Sequence, residues 1–494
     1  EVLLSQITAS VLQNDTEQVH EGYRLAAGIA LGFVNLGKGD DLRGLNDTHV
    51  IDKLMALAIA MKDYHPVQES GKSCCGAIMA LAFIYLKTEN VNVANKLKLP
   101  ETEQMLDYIR PDLLFLRCLA KNLIMWNEIS CTDTWAASQM PSSVAHKYMS
   151  GNGHEVAFEH LDGDQLTYFN VLGGACLSMA LKFASSHNLE ARDTILKYLD
   201  KVMQLSAKPA LNYDQKIAYK GCVNLQNILA LCASVIMAAS GDLEVFRRLR
   251  VLHNDTNKKM GFGCFMAINT ALGFLFLGGG QYAFDSSPFA IACLVTSLYP
   301  IYPTENSEYE IHLQALRHFW ALAIQPRCLI VRDISTGRPC KIPVAINMKD
   351  DSVIESISPC LLPDINEILT LKTNSSAHFE VILDFLLNSE VLEKFKQSLT
   401  LYVEKSNNHS VLKPNVRSVL QNYSQPVRPE EDTTDILSPQ MLDNLDEKVK
   451  AAWYRENTNH VELDLRSSSV RSGLSVFNII DNQLELINNA QTPK

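Results

Sequence analysis

The stretch Ala26–Gly37 is built almost wholly of small and apolar residues. The same pattern returns four more times, with aligned blocks opening at Ala30, Ala80, Ser178, Cys232 and Ala271. Two positions further on, the residue is again small in every copy: Gly32, Ala82, Ala180, Ser234 and Gly273. Four residues before each block stand Ala26, Gly76, Gly174, Ile228 and Ala267, small in all but one, and Gly28 adds another small position to the first copy. The position after the second small column is always large and apolar: Phe33, Phe83, Leu181, Val235 and Phe274. Positions four apart share one face of a helix, so each copy predicts a helix with a stripe of small residues beside an apolar stripe. One such helix cannot bury both stripes alone, whereas stacked copies can. An ordinary core helix rich in Ala and Gly would not line up its small columns in this way.

Between the copies the pattern predicts returning helices. The first copy, 22–36, ends at the turn Gly37-Lys38-Gly39-Asp40, and residues 48–63 carry apolar positions at helical spacing. The second copy starts after Ser70-Gly71, with a return over 102–128 that Pro111 kinks or breaks. Residues 131–162 fit no strong period and read as a surface insertion. That insertion accounts for the 98 residues between Ala82 and Ala180, where other copies are 39 to 54 apart. The third copy spans about 164–186 with a return at 190–205. The fourth spans 222–239 with 243–252, the fifth 262–278 with 287–298, and an amphipathic helix closes the series over 309–324.

After Gln325-Pro326 the texture changes. Cys328–Val331 and Ile342–Ile346 flank Ser335-Thr336-Gly337-Arg338-Pro339, which predicts a hairpin, with Pro343 suited to an edge strand. Ile368–Leu371 predicts another strand, 378–400 a helix, and 405–440 a polar loop. The expected class is mainly α: an α-solenoid or α/α toroid of helix-pair repeats over 1–325, with an insertion at 131–162. A smaller mixed α+β domain follows over 326–404, then a polar, weakly helical region over 405–494.

Composition narrows the function. The 494 residues are 47% hydrophobic with a net charge of −11 and no long basic run, which argues against nucleic acid as the main partner. The 12 cysteines form no C-x-x-C pair and read as buried free thiols of a reducing compartment. Six N-x-S/T sequons without a signal peptide read as chance matches. The opening residue is Glu1, so a portion of a longer or processed chain is expected. Met260–Phe284 holds 25 residues without a charge, but Asn269, Gln281 and a Gly278-Gly279-Gly280 run weigh against a membrane span.

Chemistry-bearing motifs are incomplete. Gly71-Lys72-Ser73 resembles the end of a phosphate-binding loop, but Pro66 stands where the motif needs glycine. His154-Glu155 lacks the second histidine of a zinc-protease motif, with Phe158 in its place. Cys74-Cys75 reads as core, and His312 and His318 lie on different faces of their helix. Arg247, Arg248 and Arg250 form the tightest basic cluster and are the candidates for contact with an acidic partner. No catalytic residue, metal site or cofactor motif emerges.

The copies resemble proteasome/cyclosome repeats, in which a Gly/Ala-rich helix alternates with a return helix. Tyr23–Gly32, Ala271–Gly280, His312–His318 and the break at Pro326-Arg327 are similar to the cyclosome branch of that family. The resemblance covers about 1–375 and is weak beyond 405. It implies a non-catalytic scaffold within the anaphase-promoting complex, a cullin–RING ubiquitin ligase of mitosis, in nucleus and cytoplasm. The implied partners are the cullin-like and RING subunits, the substrate-recognition subunit, the tetratricopeptide-repeat subunits and the coactivator. No nucleic acid, membrane or cofactor is implied. A proteasomal scaffold with the same repeats is the alternative. An α/α toroid enzyme would need polar groups converging in its cavity, where the repeats place Ala, Gly and Leu.

Overall fold

The computed structural model describes residues 2–8, 21–42, 49–59, 70–148, 160–259, 261–303, 314–385 and 389–405. Two compact units divide the chain: residues 1–238, 244–275 and 283–325 form the first, and 239–243, 276–282 and 326–494 the second.

The first unit is helical. Its helices are α1 (Val2–Thr8), α2 (Glu21–Val34), α3 (Val50–Ala58), α4 (Ser70–Ile84), α5 (Val91–Leu97), α6 (Glu103–Asp107), α7 (Pro111–Ile124), α8 (Asp133–Ser138), α9 (Ser142–Tyr148), α10 (Leu166–Lys182), α11 (Leu189–Ser206), α12 (Tyr213–Ile236), α13 (Leu243–Lys259), α14 (Phe262–Leu275) and α15 (Pro288–Ser297). Caps fix many starts. Asn90, Thr132, Asn188 and Ser287 each accept a backbone N–H of the first turn that would otherwise lack a partner. Gln215 reaches back to accept the N–H of Asn212 at the head of α12.

Six helices pack side by side in chain order. α2 lies on α4, α4 on α7, α7 on α10, α10 on α12, and α12 on α14. Helices before and between them pack on the row helix that follows: α1 on α2, α3 on α4, α5 on α7, and α11 on α12. α10 is buried on almost every side: Tyr168, Phe169 and every residue from Val171 to Leu181 are buried.

Several sequence expectations change here. Residues 102–128 are not one return helix. Arg110, ahead of Pro111, is extended, as a residue before proline prefers, and separates α6 from α7. α7 is itself a row helix, so the long gap between the second and third copies holds a further member of the row. The presumed insertion carries α8 and α9; Gly151–Gly153, His154, Glu155 and Phe158 lie outside the described residues. α15 does not return along α14; its main neighbour is the 3-10 helix Gln314–Ala323, with α2 and α10 also touching it. That 3-10 segment replaces the described part of the expected closing α-helix, and His312 lies outside the described residues. The charge-free stretch breaks at its glycines, with Gly278 and Gly279 in the left-handed region. α14 is therefore about 21 Å long, short of the roughly 30 Å of bilayer hydrocarbon.

The second unit is built on strands β3 (Cys328–Asp333), β4 (Pro343–Met348), β5 (Val353–Ile357), β6 (Cys360–Leu361), β7 (Ile368–Thr373), β8 (Ile382–Asp384) and β9 (Thr400–Val403), with helix α16 (Ser389–Ser398). Ahead of them, β1 (Tyr282–Phe284) and β2 (Ile324–Pro326) pair with each other. One sheet has the order β6-β3-β9 and the other β5-β4-β7-β8. Leu329, Val331, Val344, Ile346, Leu371, Phe395, Leu401 and Val403 form the heart of its core. The expected hairpin is overturned: β3 pairs with β6 and β9, and β4 with β5 and β7. Only a short arm folds back, with Cys340 N–H donating to Val331 O at 2.8 Å, before Pro343 opens a strand in the other sheet. Pro343 is tolerated in an interior strand because it is that strand's first residue. The expected helix over 378–400 is divided between β8 and α16.

Candidate functional site: the helix row and its turns

The small columns sit where row helices meet. A β-carbon added at Gly28 would collide with the Gly76 carbonyl, and one at Gly76 would lie 2.5 Å from Arg24 O, so α2 and α4 touch backbone to backbone. Gly32 faces the Phe83 side chain, with 2.7 Å left for a β-carbon. Gly174 faces Phe115 O of α7, again at 2.7 Å. Ala80, Ala82, Ala180 and Ala271 are wholly buried, and Ala30 is half-buried. Ser178 and Ser234 are small but polar. Each donates its hydroxyl to the carbonyl four residues back, Gly174 O at 2.7 Å and Ala230 O at 3.0 Å, so neither brings an unmet donor into the core. Gly273 departs from the pattern: it is exposed, nothing lies within 4 Å of its β-position, and it lines an apolar groove of about 480 Å³ with Phe262, Phe265 and Trp320.

The turns after the row helices repeat a backbone device the sequence reading saw only once. Two left-handed residues flank one ordinary residue at 37 and 39, 87 and 89, 185 and 187, and 239 and 241. In three of these turns the two N–H groups donate to the last turn of a neighbouring row helix. Gly37 and Gly39 bond Phe83 O and Ile84 O at 3.0 and 2.9 Å. Lys87 and Glu89 bond Leu123 O and Ile124 O at 3.0 and 3.1 Å. Ser185 and His187 bond Val235 O and Ile236 O at 2.9 and 3.2 Å. These carbonyls end their helices without an intrahelical partner, so each turn caps the next helix. An Asp or Asn follows every second left-handed residue: Asp40, Asn90, Asn188 and Asp242. That spacing is the signal by which the sequence could have shown the device. Asn90 and Asn188 then start the connecting helices, and Asp40 accepts from Tyr85 Oη at 2.5 Å and Asn90 Nδ2 at 3.2 Å.

Cations cap carbonyls elsewhere. Lys182, which interrupts the apolar run of the third copy, donates to Trp126 O, Asn127 O and Ile129 O at 3.0, 3.2 and 2.9 Å. Buried Arg117 bonds Leu97 O and Lys98 O at 3.2 and 2.8 Å. Buried Arg317 bonds Ser297 O, Tyr299 O and Ile301 O at 3.3, 3.1 and 2.5 Å and stacks on Tyr302.

The basic cluster of α13 is partly committed inside the fold. Arg248 grips both oxygens of Asp200 on α11 at 2.8 Å and also pairs with Glu244, while Arg247 pairs with Glu244 at 2.7 Å. Arg250 is half-buried and also engaged. None of the twelve cysteines is in a disulfide. Burial pushes the Cys74 thiol up to about 11 and those of Cys118 and Cys222 up to about 12, so they stay protonated near neutral pH. Gly71-Lys72-Ser73 lies in the first turn of α4, with no strand before it among the described residues. Among the described residues no three His, Cys, Asp or Glu side chains come together as metal ligands.

Residues 1–325 match the family model described as APC1 fifth domain. The chain is 40% identical to the "Negative regulator of mitosis" of Emericella nidulans over 76% of its own length and 18% of that protein's. It is 37% identical to anaphase-promoting complex subunit 1 of Schizosaccharomyces pombe over 81% of this chain and 27% of that protein. It is 32% identical to anaphase-promoting complex subunit 1 of Homo sapiens, over 78% and 21%. The chain thus spans about a fifth to a quarter of the length of these curated relatives. Its match over the whole helical unit makes it a member of the APC1 fifth domain family.

Proposed function

We propose that this chain is a rigid, non-catalytic scaffold portion of the anaphase-promoting complex. Its row of helices would be an α-solenoid, or part of an α/α toroid, whose stiffness holds other subunits at fixed positions. The observation that carries this reading is the succession α2, α4, α7, α10, α12, α14, each packed on the next and three of the contacts tied by paired turn hydrogen bonds. Close backbone approach leaves little free volume, and a dense stack resists bending. Family membership supplies the assembly. The proposed partners are cullin-like and RING catalytic subunits, a substrate-recognition subunit, tetratricopeptide-repeat subunits and a coactivator. The role is to position them for ubiquitin transfer in mitosis, in nucleus and cytoplasm, without nucleic acid, membrane or cofactor.

Affinity purification of the tagged full chain, with quantification of what accompanies it, tests this. Cullin-like and RING subunits in stoichiometric yield are expected. Proteasomal ATPases in their place would establish the other repeat scaffold, and ubiquitin transfer by the chain alone would end the non-catalytic reading.

A further inference from the structure

We propose that the outer edge of β5 receives an additional strand from another polypeptide, one with a lysine or arginine opposite Glu355. β5 ends the order β5-β4-β7-β8, and among the described residues no strand lies on its far side. The phase of its hydrogen bonds follows from the flanking pairs. Met348 N–H donates to Ser352 O and Ser358 N–H to Ile342 O, both at 2.9 Å. With Ile346 opposite Ile354 and Val344 opposite Ser356, antiparallel alternation turns the backbone groups of Ile354 and Ser356 toward β4. Val353, Glu355 and Ile357 therefore aim their N–H and C=O groups away from the sheet. Such a row is a template for strand addition.

Apolar side chains are exposed on both faces of β5. Val353, Ile354 and Ile357 are 58%, 41% and 57% exposed. The strand Val-Ile-Glu-Ser-Ile carries no proline or lysine, and its pairing with β4 has no bulge, so Glu355 is the one edge protection within it.

Charge decides the occupant. In the register that pairs all five residues, a second copy of this chain would set Glu355 against Glu355. Like charges directly opposite destabilise a pair, and Asp350 and Asp351 in the preceding turn add to the repulsion. A different strand, with a cation opposite Glu355 and β-branched or aromatic residues opposite Val353 and Ile357, complements the edge at every position. This goes beyond the scaffold reading by assigning one contact and its chemistry.

Hydrogen exchange at single-amide resolution tests it, comparing the full chain alone with the assembly purified through a tag on it. Expected is slow exchange at Val353, Glu355 and Ile357 in the assembly and fast exchange in the chain alone, with Ile354 and Ser356 slow in both. Glu355→Pro removes only an outward N–H, and Glu355→Lys reverses the charge. Both variants are expected to lose protection at Val353 and Ile357. Fast exchange at the three outward amides in the assembly overturns the proposal. So does protection that survives both variants, protection arising in a homodimer of the chain, or recovery of the chain alone with the edge exchanging freely. The identity of the accompanying subunits reads the scaffold proposal separately.

Discussion

A single β-carbon separates two outcomes in the helix row. Gly28→Leu would force α2 off the Gly76 carbonyl; we expect a loss of about 1–3 kcal/mol in denaturant unfolding. Gly273→Ala meets nothing within 4 Å and removes a helix-interior glycine. It should stabilise by about 0.5–1 kcal/mol in the same measurement. Equal effects of the two would show that the row contacts carry no special closeness. The small columns were legible because residue size alone marks them, and size is read directly from sequence. The exception at Gly273 was not, since its surroundings depend on what packs beside α14. The buried thiols give a chemical counterpart. With Cys74 pushed up to about 11 and Cys118 and Cys222 to about 12 by burial, alkylation near pH 8 should be slow in the native chain and fast in denaturant. Asp333 sets a pH dependence in the second unit. Bonds from the Ser335 hydroxyl and N–H hold its carboxyl down at about 2. A carboxylate lowered on folding stabilises above its unfolded value, so stability should be complete above about pH 4. It should fall as pH drops toward 2, and Asp333→Asn should flatten that part of the profile.

Elements are held by what closes their ends. Arg317 satisfies three carbonyls in the chain leaving α15, and Arg317→Met would leave them buried without a donor. We expect a loss on the order of 3 kcal/mol, read by thermal unfolding; a change near zero would mean water replaces the guanidinium. Long apolar helices could be found from their period, and α4, α10, α12 and α14 overlap their expected spans. Elements fixed by a remote partner could not. β3 and β4 look like two arms of a hairpin because Gly337 offers a turn between them, yet β3 takes β6 and β9 instead. The apolar run near Val381 suits helix or strand equally, and β7 settles it by pairing with Ile382–Asp384. In sequence α7 reads as part of a single return helix because Leu116 and Asn122 stand where the other copies are mostly small. It meets the glycines of α10 with bulk, so the small residue of that contact lies on one side only.

At the scale of the molecule, a row of nearest neighbours should fail locally rather than all at once. Gly174→Leu strikes the contact of α7 with α10. Native-state exchange should then show α10 and α7 losing protection while α12 and α14 keep theirs; uniform loss across the first unit would instead describe one undivided core. The mainly helical class with a smaller α/β part could be read in advance from the change of texture at Pro326. The order of the sheets could not, because strand partners are chosen across long stretches of chain. β3 shows what this entails during synthesis. Its parallel partner begins at Thr400, opposite Ile330, so a ribosome must make 70 further residues before that flank can close. A nascent chain stalled short of Val403 would present an apolar strand with one bare side, open to chaperones and to neighbouring nascent copies alike.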